Sequence, residues 1–289
     1  GCFQNMLNSP KNLGVIHFIG IGGIGMSGIA EILFQSGYNV QGSDISNSNN
    51  TNRLRKIGIK IFIGQKKSNI INAKIIVVST AISEINKEYI AAKKMFLPIV
   101  HRAEMLGELM RLKQSIAIAG THGKTTTTSL IAKMIEENGM DPTIINGGII
   151  SSLDSNAKLG NGEWMVVEAD ESDGSFAKLN PTVAIITNID LEHLDYHKSE
   201  ENLEKAFFQF VSSIPFYGFV CLCIDHPRTQ KLISKLQNKK VITYGLSANA
   251  DIRATNISYK DNKMSFLLNI SNIKKHNNKN YKIDFSMIG

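Results

Sequence analysis

Along the first hundred residues, short apolar runs alternate with stretches of helical character. Residues 15–19 form an apolar run that enters a glycine cluster. Residues 26–34 behind it read as a helix, with Gly37 as its stop. Residues 38–42, 59–63 and 75–79 follow as strands, and residues 86–94 as a further helix. This β-α-β order predicts a parallel sheet with helices on its faces. Residues 103–112 read as a helix that carries the chain out of the first domain.

A second α/β unit opens at Ser115. The strand 115–119 runs into another glycine loop, and residues 124–138 form a helix ended by Gly139. Apolar strands at 164–168 and 183–187 each meet a polar cluster at their C-terminal end, where an open α/β sheet places its ligands. Beyond Asp251 the pattern becomes β-rich, with strands at 252–259, 263–270 and 281–287 and no internal repeat. The tract 272–280, with Lys274, Lys275, His276 and Lys279, reads as a solvated hairpin turn. The expected fold is therefore α/β: a Rossmann-like parallel-sheet domain over 6–112, then a P-loop-type α/β ATPase domain with a β-rich extension over 113–289. Residues 1–5, ahead of Met6, read as a vector-derived remnant.

Composition narrows the class. Hydrophobic residues make up 43% and charged residues 20% of the 289 residues, as in soluble globular proteins. No apolar run approaches the ~20 residues of a membrane span. The start lacks the basic-then-apolar layout of a secretory signal. Three cysteines, Cys2, Cys221 and Cys223, are too few and too odd in number for a disulfide framework, which suits a reducing cytoplasm. Cys221 and Cys223 alternate on one strand, lack zinc-like partners and read as small buried residues. The charge of +7 admits anionic ligands. Its lysines are scattered and no aromatics are interleaved with them, so neither nucleic acid nor a membrane is an expected partner.

Two loops carry the chemistry. Gly20-Ile21-Gly22-Gly23-Ile24-Gly25 satisfies G-x-G-x-x-G between a strand and a helix, and Asp44 closes the next strand at the spacing of a ribose-binding acid. Backbone N–H groups and a helix dipole serve any diphosphate. NAD or NADP, a UDP-type diphosphate and a plain tight turn all stay open on this motif. Gly120-Thr121-His122-Gly123-Lys124-Thr125 offers N–H groups to phosphates, Lys124 as a cation and the Thr125 hydroxyl for Mg²⁺. Ile118 stands where a generic Walker loop has its first glycine, so this loop is shorter.

Acids follow in Glu168-Ala169-Asp170-Glu171 and in Asn188-Ile189-Asp190-Leu191-Glu192-His193. Oxygen ligands with one imidazole suit Mg²⁺ shared with phosphates. Glu192, His193, Asp195 and His197 admit a hydrolytic zinc site instead, and Asp170 and Asp173 admit a reading as solvated acids near a helix start. A dehydrogenase has no use for Lys124 and a magnesium cluster; an enzyme that activates a nucleotide-linked acid with ATP uses both loops.

The residues from about 14 to the end resemble the Mur ligases of bacterial cell-wall synthesis. The likeness is carried by His17-Phe18-Ile19 through Gly28, Val78-Ser79-Thr80-Ala81-Ile82, His101-Arg102-Ala103-Glu104-Met105-Leu106, Gly120 to Thr128, Val167 to Asp173, Thr187-Asn188-Ile189 and Glu192-His193-Leu194-Asp195. Within the family the nearest pattern is that of the members joining L-alanine to UDP-N-acetylmuramate. The resemblance implies that Gly20, Gly22, Gly23, Ile24, Gly25, Met26, Ser27, Asp44, Ser79, Thr80, Ala81, His101 and Arg102 lie along the UDP-substrate. It implies ATP on Gly120, Thr121, His122, Gly123, Lys124, Thr125, Thr126 and Asn188. Thr125, Glu168 and His193 become Mg²⁺ ligands, with Lys124, Glu168 and His193 catalytic. His122 reads as a structural residue of the loop rather than a base. Phe208 stands where several relatives carry a carbamylated lysine, so that modification is not expected. Related peptide ligases, an NAD-dependent oxidoreductase and a nucleotide-binding regulator are the rival readings.

The resemblance also implies a third, C-terminal α/β domain closing over ATP, and the sequence stops within what would be the central one. Residues 1–289 alone are expected to bind the UDP-sugar and hold ATP weakly without ligating. Substantial phosphate release by this chain, dependent on both UDP-N-acetylmuramate and L-alanine, would overturn that expectation.

Overall fold

The computed structural model describes residues 13–23, 25–146, 157–171, 175–191, 197–273 and 278–286. These fall into two compact units. One takes the described residues up to Gln114 together with Thr128–Glu168, the other Ser115–Thr127 with the described residues from Ala169 onward. No helix among the described residues is long and apolar enough to cross a membrane.

The first unit begins with β1 (Val15–Ile19), α1 (Met26–Gln35), β2 (Asn39–Asp44), α2 (Asn49–Lys56), β3 (Lys60–Ile63), β4 (Ala73–Val78), α3 (Lys87–Lys94), β5 (Ile99–His101) and α4 (Arg102–Leu112). Its strands bond in the order β3-β2-β1-β4-β5, all parallel. The order reverses beside β1, so the turn after β1 opens at a topological switch point. Ile16, Phe18 and Ile19 of β1 and Ile76 and Val77 of β4 are buried, as are Ile29, Ile32 and Leu33 of α1.

Helix α1 ends as its sequence demands. Gly37 takes φ 93°, and the Tyr38 N–H reaches the Leu33 carbonyl at 3.1 Å, which closes the last turn. Helix α2 and strand β5 are additions to the elements expected from the sequence. Only Thr51 and Leu54 of α2 are buried, too few for a periodic signal, and a capping box between Ser48 and Thr51 starts it.

The chain continues through β6 (Gln114–Ala119), α5 (Lys124–Glu137), β7 (Thr143–Ile145), β8 (Ala157–Lys158), β9 (Trp164–Glu168), β10 (Val183–Ile186), α6 (Glu200–Ser212), β11 (Phe219–Cys223), α7 (Pro227–Ser234) and β12 (Val241–Gly245). Strands β13 (Ile252–Lys260), β14 (Lys263–Ile270) and β15 (Lys279–Ser286) follow. Strands β7 to β9 pair in the first unit, and β6 with β10 to β15 in the second. In the first unit β7 pairs parallel with β9 and antiparallel with β8. In the second, β6-β10-β11-β12-β13 run parallel, then β13-β14-β15 turn antiparallel.

The pair Ile270↔Lys279 at the end of the β14–β15 ladder fits the expected hairpin there, although residues 274–277 lie outside the described ones. On β11 the Cys223 side chain is buried and Cys221 half-buried, and burial pushes the Cys221 thiol up to about 12. The inert reading of these thiols follows.

An aromatic knot fixes the second unit. Phe207 and Phe210, one turn apart on α6, both reach Phe176 with ring centroids at 5.2 Å, and all three are fully buried. Phe210→Ala should cost about 3–5 kcal/mol through the cavity it leaves. Urea unfolding of the variant beside the parent chain measures that loss.

Candidate functional site

A parallel strand that runs into a helix has to turn within a few residues, and glycine makes the turn after β1. Gly20 and Gly25 take φ 77° and 81°. A Cβ on Gly22 would stand 2.8 Å from Thr51 Cγ2 and 2.9 Å from an Asp44 carboxylate oxygen. The loop is folded by the end of the neighbouring strand. The Ser43 carbonyl accepts the N–H groups of Gly20 and Ile21, both at 2.9 Å, and Asp44 Oδ2 accepts that of Gly22 at 2.8 Å. Gly23, Met26 and Ser27 donate back to carbonyls of the loop itself.

The N–H groups first assigned to a diphosphate at Gly20, Gly22 and Gly23 are thus used to shape the loop. The far end of the loop is built differently. There Arg102 comes so close that a Cβ on Gly25 would meet its Nη1 at 2.3 Å, and α1 starts with no side-chain cap and no acid in its first turn. The Ser27 hydroxyl is buried with no hydrogen-bond partner among the described residues. Ser79, Thr80 and Ala81 follow β4, and His101 closes β5, so these residues and Arg102 share the C-terminal edge of the sheet with Gly20. Ile24 lies outside the described residues.

Asp44 has a role within the protein itself. Both of its oxygens accept backbone N–H groups, from Gly22 and from Ile45 at 2.7 Å, so it organises the loop. Asn50 completes the arrangement by donating to the Gly22 carbonyl at 2.9 Å.

The loop after β6 is built on the same plan with other parts. Gly120 takes φ 139°, and a Cβ there would lie 2.0 Å from Thr187 Oγ1. The segment after β10 clips the loop. The Asn188 carbonyl accepts the Thr121 N–H at 3.1 Å, and its side-chain amide bonds the His122 N–H at 2.8 Å and the His122 carbonyl at 3.1 Å. Thr187 Oγ1 also donates to the His122 carbonyl, and the Asp190 N–H reaches Thr121 Oγ1 at 2.8 Å. The His122 imidazole stands 3.6 Å from Asp190. Thr125 and Thr126 are exposed in the first turn of α5.

Lys124 carries the charge of this loop. Its ammonium bonds the Gly120 carbonyl at 2.8 Å and lies 3.0 Å from a carboxylate oxygen of Glu171, whose side chain is buried. Glu171 in turn lends its carbonyl to His197 Nε2 at 2.6 Å. Glu171 was not among the expected site residues; its place in an acid cluster just after a strand was the only signal available. Glu168 ends β9, half-buried, in the first unit. His193, with Glu192 and Asp195, lies outside the described residues. Among the described residues no three His, Cys, Asp or Glu side chains gather as a metal site of their own.

The model of the Mur ligase family catalytic domain matches residues 15–114, and that of the Mur ligase middle domain matches residues 118–289. The chain belongs to the Mur ligase family. It is 57% identical over 249 residues to the UDP-N-acetylmuramate--L-alanine ligase of Rhodospirillum rubrum, covering 86% of this chain and 52% of that protein. It is also 57% identical over 256 residues to the protein of the same name from Parvibaculum lavamentivorans, covering 89% and 52%. The crystal structure of UDP-N-acetylmuramate-alanine ligase MurC from Thermotoga maritima superposes with a TM-score of 0.75 at 28% identity, covering 96% of this chain and 61% of that one. The chain spans about half the length of the curated relatives it matches.

Gly120→Ala has to displace the β6 loop, since the new methyl overlaps Thr187 and the φ is foreign to alanine. ATP affinity should fall at least about tenfold, the loss of one well-made hydrogen bond to a charged group. Gly139→Ala, equally strained at φ 74° but with nothing within 4 Å of the new methyl, should lower stability by about 1 kcal/mol and leave ATP binding unchanged. Calorimetric titration of both variants checks the pair.

Proposed function

We propose that this chain carries the two nucleotide sites of an ATP-dependent ligase that joins UDP-N-acetylmuramate to L-alanine in peptidoglycan precursor synthesis. The observation that carries the reading is the pairing of two loops in one chain. One presents Arg102 and the start of α1 at a switch point; the other holds Lys124 between its own carbonyls and Glu171. Identity of 57% to proteins named for this reaction supports it. In this reading residues 6–112 form the UDP-substrate domain and residues 113–289 the ATP domain, in a cytoplasmic enzyme.

The chemistry follows from what each loop holds. The lactyl carboxylate of UDP-N-acetylmuramate attacks the γ-phosphorus of ATP, giving an acyl phosphate and ADP. The α-amine of L-alanine then attacks the acyl carbon and inorganic phosphate leaves. No protein nucleophile takes part. Lys124 binds phosphate oxygens and offsets charge that builds as the phosphoryl group transfers. Arg102 and the start of α1 hold the diphosphate of the sugar nucleotide. Thr125, with Glu168 and His193, would hold Mg²⁺ alongside phosphate oxygens and water. A hydroxyl and a carboxylate fit such a hard cation. Bound there, the ion would supply charge neutralisation at the phosphates.

Titration of the chain with UDP-N-acetylmuramate, NADH and ATP tests the reading. UDP-N-acetylmuramate should bind and NADH should not. Lys124→Ala should weaken ATP at least about tenfold, as expected for a lost charge-assisted contact, while sparing the sugar nucleotide. Tight NADH binding would sink the proposal. L-alanine against a tripeptide as acceptor separates the alanine ligase from the peptide-recycling branch.

A further inference from the structure

Strand β1 is apolar except for His17 at its centre, and that side chain is wholly buried. Its Nε2 lies 3.1 Å from Glu88 Oε2, and Glu88 on the first turn of α3 is equally buried. The amide nitrogen of Gln41 bonds both the Asn69 carbonyl at 2.8 Å and His17 Nδ1 at 3.0 Å. With both amide hydrogens so used, Nδ1 accepts and Nε2 carries the proton toward Glu88. Ser43 donates to Glu88 Oε2 at 2.5 Å, and Asn69 Nδ2 donates to Oε1 at 2.6 Å. The Lys66 N–H reaches the same Oε1 at 3.3 Å. Burial works against the charge of Glu88, and these bonds more than offset it, holding the carboxyl below its usual range.

A buried carboxylate is an expensive way to fill space under a helix, since apolar side chains of the same volume serve at least as well. Its value lies in direction, and both routes out of Glu88 lead to the β1 loop. Ser43, bonded to Glu88 by its hydroxyl, receives Gly20 and Ile21 on its carbonyl. Asn69 bonds Glu88 and the Gly64 carbonyl with one amide group; the Gly64 N–H bonds the Asp44 carbonyl, and Asp44 receives Gly22. The two residues that fold the loop are therefore both tied to one carboxylate 44 and 45 positions further along the chain.

We propose that Glu88, with its proton donor His17, is a positioning group for the sugar-nucleotide loop. It fixes Ser43 and Asp44, and through them the place at which Gly25, Ser27 and Arg102 meet the diphosphate. This rests on the reading of that loop as the UDP-substrate site. The positioning itself has a readout that needs no ligand.

Glu88→Gln and Ser43→Ala are compared with the parent chain 1–289 by amide hydrogen exchange and by titration with UDP-N-acetylmuramate and ATP. Gly20 and Ile21 should exchange at least about tenfold faster in both variants, the expected cost of one charged-group hydrogen bond. UDP-N-acetylmuramate should bind about tenfold more weakly on the same ground, with ATP unchanged. Slow exchange of Gly20 and Ile21 in Ser43→Ala, at the parent rate, would overturn the proposal. Should Glu88→Gln fail to fold, Ser43→Ala still decides, because it removes one hydroxyl. A parent chain that does not bind UDP-N-acetylmuramate refutes the reading of the loop, while the exchange rates still decide the positioning role.

Discussion

Where a parallel strand turns straight into a helix, there is room for backbone and little else, and both loops of this chain are organised around that shortage. Gly22 and Gly120 sit where a methyl would run into Asp44 and Thr187. Such a loop lacks side chains to hold its own shape. The fold supplies the missing partners from the next parallel strand: Ser43 and Asp44 at the end of β2, Thr187 to Asp190 after β10. The same problem is solved twice in one chain by unrelated residues.

The charges follow from this layout. Beside each loop stand a cation, Arg102 or Lys124, and a buried carboxylate, Glu88 or Glu171. Glu171 meets its lysine directly, so it holds the ammonium in place and lowers the cost of keeping it half-buried. Glu88 touches no cation of its site; it acts on neutral backbone.

Apolar runs and glycines made most strands of the sheets and the two loops legible in the sequence. They are local signals, and a strand–glycine–helix pattern has few ways to fold. The partners that shape the loops were not legible. His17 and Glu88 are 71 positions apart, and Asn188 reaches His122 across 66. No periodicity encodes such a choice. A histidine inside the run Val15–Ile19 was the one local anomaly, and the glycines beside it drew attention away from it. Asp44 was found by spacing, but its bonds to the Gly22 and Ile45 N–H groups had no signal in the sequence. Ile24 and His193, two of the expected site residues, fall outside the described residues and add nothing to this comparison.

Asp44 also explains why a G-x-G-x-x-G fingerprint leaves the nucleotide open. An acid at the end of β2 can serve a ribose only if its oxygens point out of the sheet edge. Here both accept N–H groups of the protein, and the loop would lose the bond at Gly22 if the carboxylate turned away. The cost of that rearrangement, roughly that of one charged-group hydrogen bond, weighs against dinucleotide-style ribose recognition. On the proposed reading, selectivity then falls to the other residues at that edge of the sheet, Ser79 to Ala81, His101 and Arg102.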